Sequence, residues 1–198
     1  MEYQDNLKIV EKILSREALL NQMAEEAVEL ARAILLYRDK TGHRRYWGSA
    51  VFSDSSLTEW GEVVEEGADI ALVTEVVLAA SFDSDERKIF KNIIGTMDVV
   101  VSVLTTREVL ETMQKVCHDV AKAALKLNRA AGGENPTPIS EEYARKQLLC
   151  HMASMMALQG KAFVGTDQEK IEEIKEEKAA RWVGRLMGGI EDEGVHEN

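Results

Sequence analysis

Apolar residues recur at steps of three and four along most of the chain. Leu19, Leu20, Met23, Ala27, Leu30, Ala31 and Ile34 form one continuous stripe, the mark of a helix with a buried face. The spacing predicts a first helix from about Leu7 or Ser15 to Tyr37 and a second from Ser56 to about Ala80. A third covers Glu86 to Leu104, a fourth Arg107 to Arg129, a fifth runs from Ser140 to about Gln159, and a sixth covers Gln168 to Met187. Start signals support this division. Ser56-Leu57-Thr58-Glu59 has the form of a capping box, Ser84 or Asp85 is placed to cap the third helix, Thr105 or Thr106 the fourth, and Ser140 the fifth. Breaks are expected at the polar loop Lys40–Gly48, at Gly132–Pro138 with both prolines, and at Gly160–Asp167. The tail from Gly188-Gly189 onward reads as frayed. No long period-two alternation is present, so the fold class is all-α, a helical bundle.

Two acidic motifs interrupt the apolar stripes. Glu25-Glu26-Ala27-Val28-Glu29 lies on the first predicted helix and Glu65-Glu66-Gly67-Ala68-Asp69 on the second. Residues three or four apart share a helix face, so Glu26 pairs with Glu29 and Glu66 with Asp69. Antiparallel packing of the two helices brings four carboxylates together. Like charges at that density need a cation, and a set of hard oxygen ligands suits Mg²⁺, with Mn²⁺ as the alternative ion.

Composition narrows the choice. The chain has 198 residues, 45% hydrophobic and 6% aromatic, enough for one ordinary domain or two small ones. A net charge of −11 argues against a broad nucleic-acid surface, which needs a basic patch. It leaves room for a small phosphate ligand bridged by a metal ion. No apolar run approaches the ~20 residues of a membrane span. The polar, acidic start Met1-Glu2-Tyr3-Gln4-Asp5 is no signal peptide, and two cysteines make no disulfide framework. The expected setting is the reduced cytoplasm. Cys117-His118 and Cys150-His151 invite a zinc reading, but neighbours on a helix point ~100° apart. They read as ordinary packed residues.

A repeat runs through the pattern. Glu29 aligns with Asp119 at an offset of 90 residues, which sets Leu30-Ala31-Arg32-Ala33 against Val120-Ala121-Lys122-Ala123. Glu66-Gly67-Ala68-Asp69 aligns with His151-Met152-Ala153-Ser154 at an offset of 85. Each half reads helix, loop, capped helix, further helix.

These motifs resemble the MazG-like all-α nucleoside triphosphate pyrophosphohydrolases, of phage and Firmicutes type. Glu-Glu-x-x-Glu followed by Glu-x-x-Asp is that family's mark, carried here by QMAEEAVELARAI and EVVEEGADIALV. AKAALKLNRAAGGENPTPIS and EEKAARWVGRL extend the resemblance over roughly residues 15 to 187. The second half has lost the acids except Asp119, which implies a tandem, pseudo-two-fold fusion. Residues 1–105 form the intact half, 106–190 the degenerate half sharing its core, and 191–198 a flexible tail.

The resemblance implies hydrolysis of a (d)NTP to the monophosphate and pyrophosphate, with Mg²⁺ on Glu26, Glu29, Glu66 and Asp69. Glu25 would be water-orienting or base, with Glu62 one turn before Glu66 assisting. Arg44, Arg45 and Trp47, with Tyr46 beside them, are candidates for a substrate-holding loop; Lys91, with Asp98 on the same helix, and Lys126 and Arg129 are further substrate-binding candidates. Trp182 reads as core or interface. No other cofactor is implied, nor is a nucleic-acid or membrane partner, and the association of such bundles leaves room for a homodimer. The alternatives are a nucleotide-binding pseudoenzyme with weak turnover and a regulatory or structural helical protein.

Overall fold

Seven helices and no strand occur among the described residues of the computed structural model, which are 2–41, 54–132 and 139–193. They are α1 Tyr3–Ile13, α2 Arg16–Thr41, α3 Asp54–Ser81, α4 Ser84–Ser102, α5 Thr106–Gly132, α6 Glu141–Ala162 and α7 Thr166–Glu193. The predicted all-α class is the observed one. None of the described helices is long and apolar enough to cross a membrane.

Several boundaries differ from those the spacing predicts. The first predicted helix is two. Leu14 is extended, and the Ser15 hydroxyl accepts the Ala18 N–H, so the chain restarts as α2. Lys40 and Thr41 belong to α2 rather than to the loop after it, and α3 begins at Asp54, which puts Ser56 inside the helix rather than at its cap. The cap of α4 is Asp83, not Ser84 or Asp85. Its carboxylate accepts from Asp85 and Glu86 N–H while Glu86 accepts from Asp83 N–H, a full capping box. Thr105 and Glu108 make the same reciprocal pair at the start of α5, and the Ser140 hydroxyl accepts from Tyr143 N–H at α6. The break before α7 narrows to residues 163–165, where Gly165 takes a positive φ of 62°. α7 continues past Gly188-Gly189 to Glu193. The loop predicted at Arg44, Arg45, Tyr46 and Trp47, the break predicted at Asn135-Pro136-Thr137-Pro138, and residues 194–198 lie outside the described residues.

Helices α2 and α5 pack on each other at the centre, with α3 on α2 and α6 on α5. The central pair is antiparallel: Arg38 reaches Glu111 and Gln114 at one end, and Asn128 donates to Asn21 at the other. α2 and α3 are antiparallel as well, because the Lys40–Glu59 ion pair joins the end of one to the start of the other. α4 then covers α6, α7 covers α3, and α1 lies against α7 and α3. One buried cluster draws on all seven helices, with Leu19, Leu20, Met23, Leu30, Ile34, Ile70, Leu110, Met113, Leu127 and Leu148 fully enclosed. Each such side chain contributes about 1.5–3 kcal/mol by leaving water.

One contact fixes the acidic stretch of α3. Gly67 faces the ring of buried Phe163, and a Cβ there would stand 2.8 Å from the ring. The absent side chain lets the ring seat against the helix, while Gln159 Nε2 donates to the Gly67 carbonyl at 3.1 Å. Trp60 and Tyr37 continue the aromatic cluster, with the Trp60 ring tilted against its neighbours at centroid distances of 5.7 Å from Phe163 and 5.1 Å from Tyr37, and the Trp60 indole N–H donates to Asp167.

Candidate metal centre

Gln22, Glu26 and Glu29 fall on one face of α2, and Glu66 and Asp69 on the facing side of α3. With Glu65 and the basic face of α7 they line a cavity of about 280 Å³. Carboxylate oxygens of Glu26, Glu29 and Glu66 lie within 4.8 Å of one another, and this is the one group of three or more metal-ligating side chains among the described residues. A second cleft of about 320 Å³ opens beside them, lined by Glu29, Arg32, Leu36, Glu62 and Glu66.

The packing sets the electrostatics. Burial pushes the Glu26 carboxyl up to about 7; the hydrogen bond donated by Gln22 opposes this, and the charges of Asp69, Glu29 and Glu66 add to it. That Gln22–Glu26 bond is 2.5 Å long. Glu66 is also raised to about 7, by burial first and then by Asp69 and Glu29, with Lys178 pulling it back. Asp69 is raised by burial against the pull of Lys178. Glu66 Oε2 is buried with no hydrogen-bond partner. An orphaned buried carboxylate oxygen is costly, and a cation bound there would satisfy it. Carboxylate oxygens are hard donors of the kind that hold a divalent cation, without singling out one ion.

The fourth expected ligand is differently engaged. Asp69 is ion-paired with Lys178 of α7, which also approaches Glu65 at 3.5 Å. The structure thus brings Glu26, Glu29 and Glu66 together and gives Asp69 an ammonium partner. Glu25 is exposed and lines neither cleft, whereas Glu62 lines the second. Lys91 and Asp98 are exposed on α4, which packs on α6, and neither lines the acidic cavity. Lys126 lines a separate cavity between α5 and α6. Arg129 is exposed, its Nε donating to the Leu125 carbonyl. Neither reaches the acids.

The place expected for Lys91 is taken by α7. Lys178, Arg181, Trp182 and Arg185 all line the acidic cavity, and Trp182 is also packed against the core. Their spacing of three, one and three residues marks a single helix face. That spacing is present in the sequence. Cys117 is packed as expected, its thiol pushed up to about 12 by burial, but His118 and Cys150 are exposed and join no ligand group.

Comparison of the chain with protein-family models, with characterised proteins and with solved structures found no match.

Proposed function

We propose that this chain is a divalent-metal-dependent nucleoside triphosphate pyrophosphohydrolase of the MazG-like all-α kind, with one working site. The observation that carries the reading is the convergence of Glu26, Glu29 and Glu66 in a cavity walled on its far side by Lys178, Arg181 and Arg185. Acids to hold a cation and cations to hold phosphate are both needed for a triphosphate. Glu26, Glu29 and Glu66 would hold the ion, and Asp69 would be a further ligand only if freed from Lys178. A bound Mg²⁺ or Mn²⁺ offsets the triphosphate charge and lowers the pKa of water. Arg181 and Arg185 grip phosphate oxygens, and the Trp182 ring offers a face for the base. Water oxygen bonds to the α-phosphorus, the bond from that phosphorus to the bridging oxygen breaks, and pyrophosphate leaves. We assign Glu62, beside Glu29 and Glu66, to take the water proton.

The same reading makes the molecule a tandem duplication. Helices α2, α3 and α4 correspond to α5, α6 and α7, and the third helix of each half covers the second helix of the other. Contacts repeat with it. Trp60 meets Phe163 and Asp167, and at the matching place Arg145 lies over Phe82 and makes a two-pronged pair with Glu86. Such reciprocity is expected of a pseudo-two-fold pair.

A panel of canonical and modified NTPs and dNTPs with Mg²⁺, read as pyrophosphate release, tests the function. Release that disappears in Glu66→Gln is the expected result; no release from any member overturns hydrolysis. One observation favours a second reading, a nucleotide-binding protein with poor turnover. Lys178 holds the carboxylate of Asp69 where a ligand is needed. Metal-dependent nucleotide binding without pyrophosphate release would select it.

A further inference from the structure

The cavity between α5 and α6 encloses about 240 Å³ and is lined by Asp119, Lys122 and Lys126 of α5 and by Tyr143, Gln147 and His151 of α6. It occupies the positions that the cleft beside the acids occupies in the first half. Shifted by 90 residues on α5 and 85 on α6, Glu29 becomes Asp119, Arg32 becomes Lys122, Leu36 becomes Lys126, Glu62 becomes Gln147 and Glu66 becomes His151. Ala33 likewise falls on Ala123, which lines the same wall. The lining positions are kept while the charge is reversed. Three acids and one base give way to one acid, two lysines and a histidine.

Lys122 and Lys126 are set apart by lining one concave surface together; Lys115 and Lys170 also have an acid three or four residues back and make no ion pair among the described residues. Lys8, Lys88 and Lys146 each pair with an acid three or four residues back. Lys122 has Asp119 at that spacing, yet no ion pair of Lys122 or Lys126 occurs among the described residues. Like charges four apart on a helix repel each other, and here both face a concave surface of a chain with net charge −11.

We infer that this cleft binds a small phosphate anion directly, without a metal ion. Lys122 and Lys126 supply the charge, and His151, Gln147 and the Tyr143 hydroxyl supply further donors. Asp119 is the one anionic acceptor, placed to accept a hydrogen bond from the O–H of a partly protonated phosphate. Drug-sized ligands fill pockets of ~300 Å³ and above, so the cavity suits phosphate, pyrophosphate or the phosphoryl end of a nucleotide. The inference stands independently of any turnover at the acidic site.

The test uses the full chain in EDTA at fixed ionic strength. Calorimetric titrations use phosphate, pyrophosphate and a nucleoside monophosphate, and NMR follows the His151 imidazole signal, assigned by its loss in His151→Gln. Expected are saturable binding of at least one anion with a shift of the His151 signal, and at least tenfold weaker binding in Lys122→Gln/Lys126→Gln. The Lys178→Gln/Arg181→Gln variant keeps that binding. Tightest binding of pyrophosphate or phosphate marks the free anion as ligand, and tightest binding of the monophosphate marks a nucleotide; either supports the site. Both lysines are exposed, so the variant keeps its fold, checked by circular dichroism. Absence of binding to the unmodified chain, or equal binding by the Lys122→Gln/Lys126→Gln variant, overturns the inference.

Discussion

Glu66 concentrates the chemistry of the molecule in one side chain. It shares the carboxylate group with Glu26 and Glu29, has an oxygen with no partner, and titrates near neutrality. Glu66→Gln removes charge and almost no volume. Pyrophosphate release should fall below detection while the circular dichroism spectrum is unchanged; release at the unmodified rate would remove Glu66 from the site. The raised carboxyls also predict a pH dependence. In metal-free protein, Glu26 and Glu66 keep protons up to about 7 that the unfolded chain releases near 4.5. The folded state binds more protons across that window, so stability falls as pH rises through it. Thermal unfolding in EDTA should show a lower Tm at pH ~7.5 than at pH ~5. Metal binding expels those protons, so added Mg²⁺ should raise Tm more at the higher pH. A Tm independent of both pH and Mg²⁺ would contradict the metal centre. At Gly67 the prediction is steric. Gly67→Ala forces the buried Phe163 ring aside and should cost about 1–3 kcal/mol in denaturant titrations. Pairing it with Phe163→Leu should recover part of that loss.

Among the elements, α2 and α3 were the most legible. Their acids lie three residues apart within long apolar stripes, so each helix face and the meeting of Glu26, Glu29 and Glu66 could be read from spacing. α7 was not. Periodicity defines a helix and its apolar face but carries no information on which neighbour that face will meet. Lys91 on α4 was therefore a candidate for the cleft and Lys178 was not, although α4 turns to α6 and α7 to α3. The break at Leu14–Ser15 was hidden for a related reason: apolar residues continue across it, and the Ser15 cap was one of two starts the spacing allowed. A prediction belongs at this scale. Lys178 ties α7 to α3 through Asp69. In Lys178→Gln, Asp69 is free to join the ion, so Mg²⁺ alone should bind more tightly by calorimetry. The KM for a triphosphate should rise, since a phosphate-binding cation is gone. Mg²⁺ affinity that is unchanged or weaker would show that Asp69 takes no part in holding the ion.

In the whole molecule, the proposed duplication leaves one acidic cleft and one that has changed sign. Asp119 corresponds to Glu29 but faces Lys122, Lys126 and His151 instead of other acids. Asp119→Asn should leave turnover within about threefold, a barrier change of ~0.7 kcal/mol or less. Loss by orders of magnitude would make the second cleft a working site. The proposed repeat rests on the order of helices and on residues such as Leu30-Ala31 against Val120-Ala121. The crossing of α4 and α7 to opposite halves could not, because it depends on contacts between segments far apart in the chain.

That crossing has a consequence for synthesis. Asp69 and the lysine that neutralises it are 109 residues apart. At ~5–20 residues per second the ribosome needs roughly 5 to 20 seconds to span that interval. Throughout it, α2 and α3 have emerged with Glu26, Glu29, Glu66 and Asp69, and no basic face of α7 exists to balance them. The nascent helices can close on one another only with those acids protonated or with a divalent ion taken from the surrounding solution. An ion held by the proposed centre would then act first as an assembly factor, and cells short of it would accumulate unfolded chain.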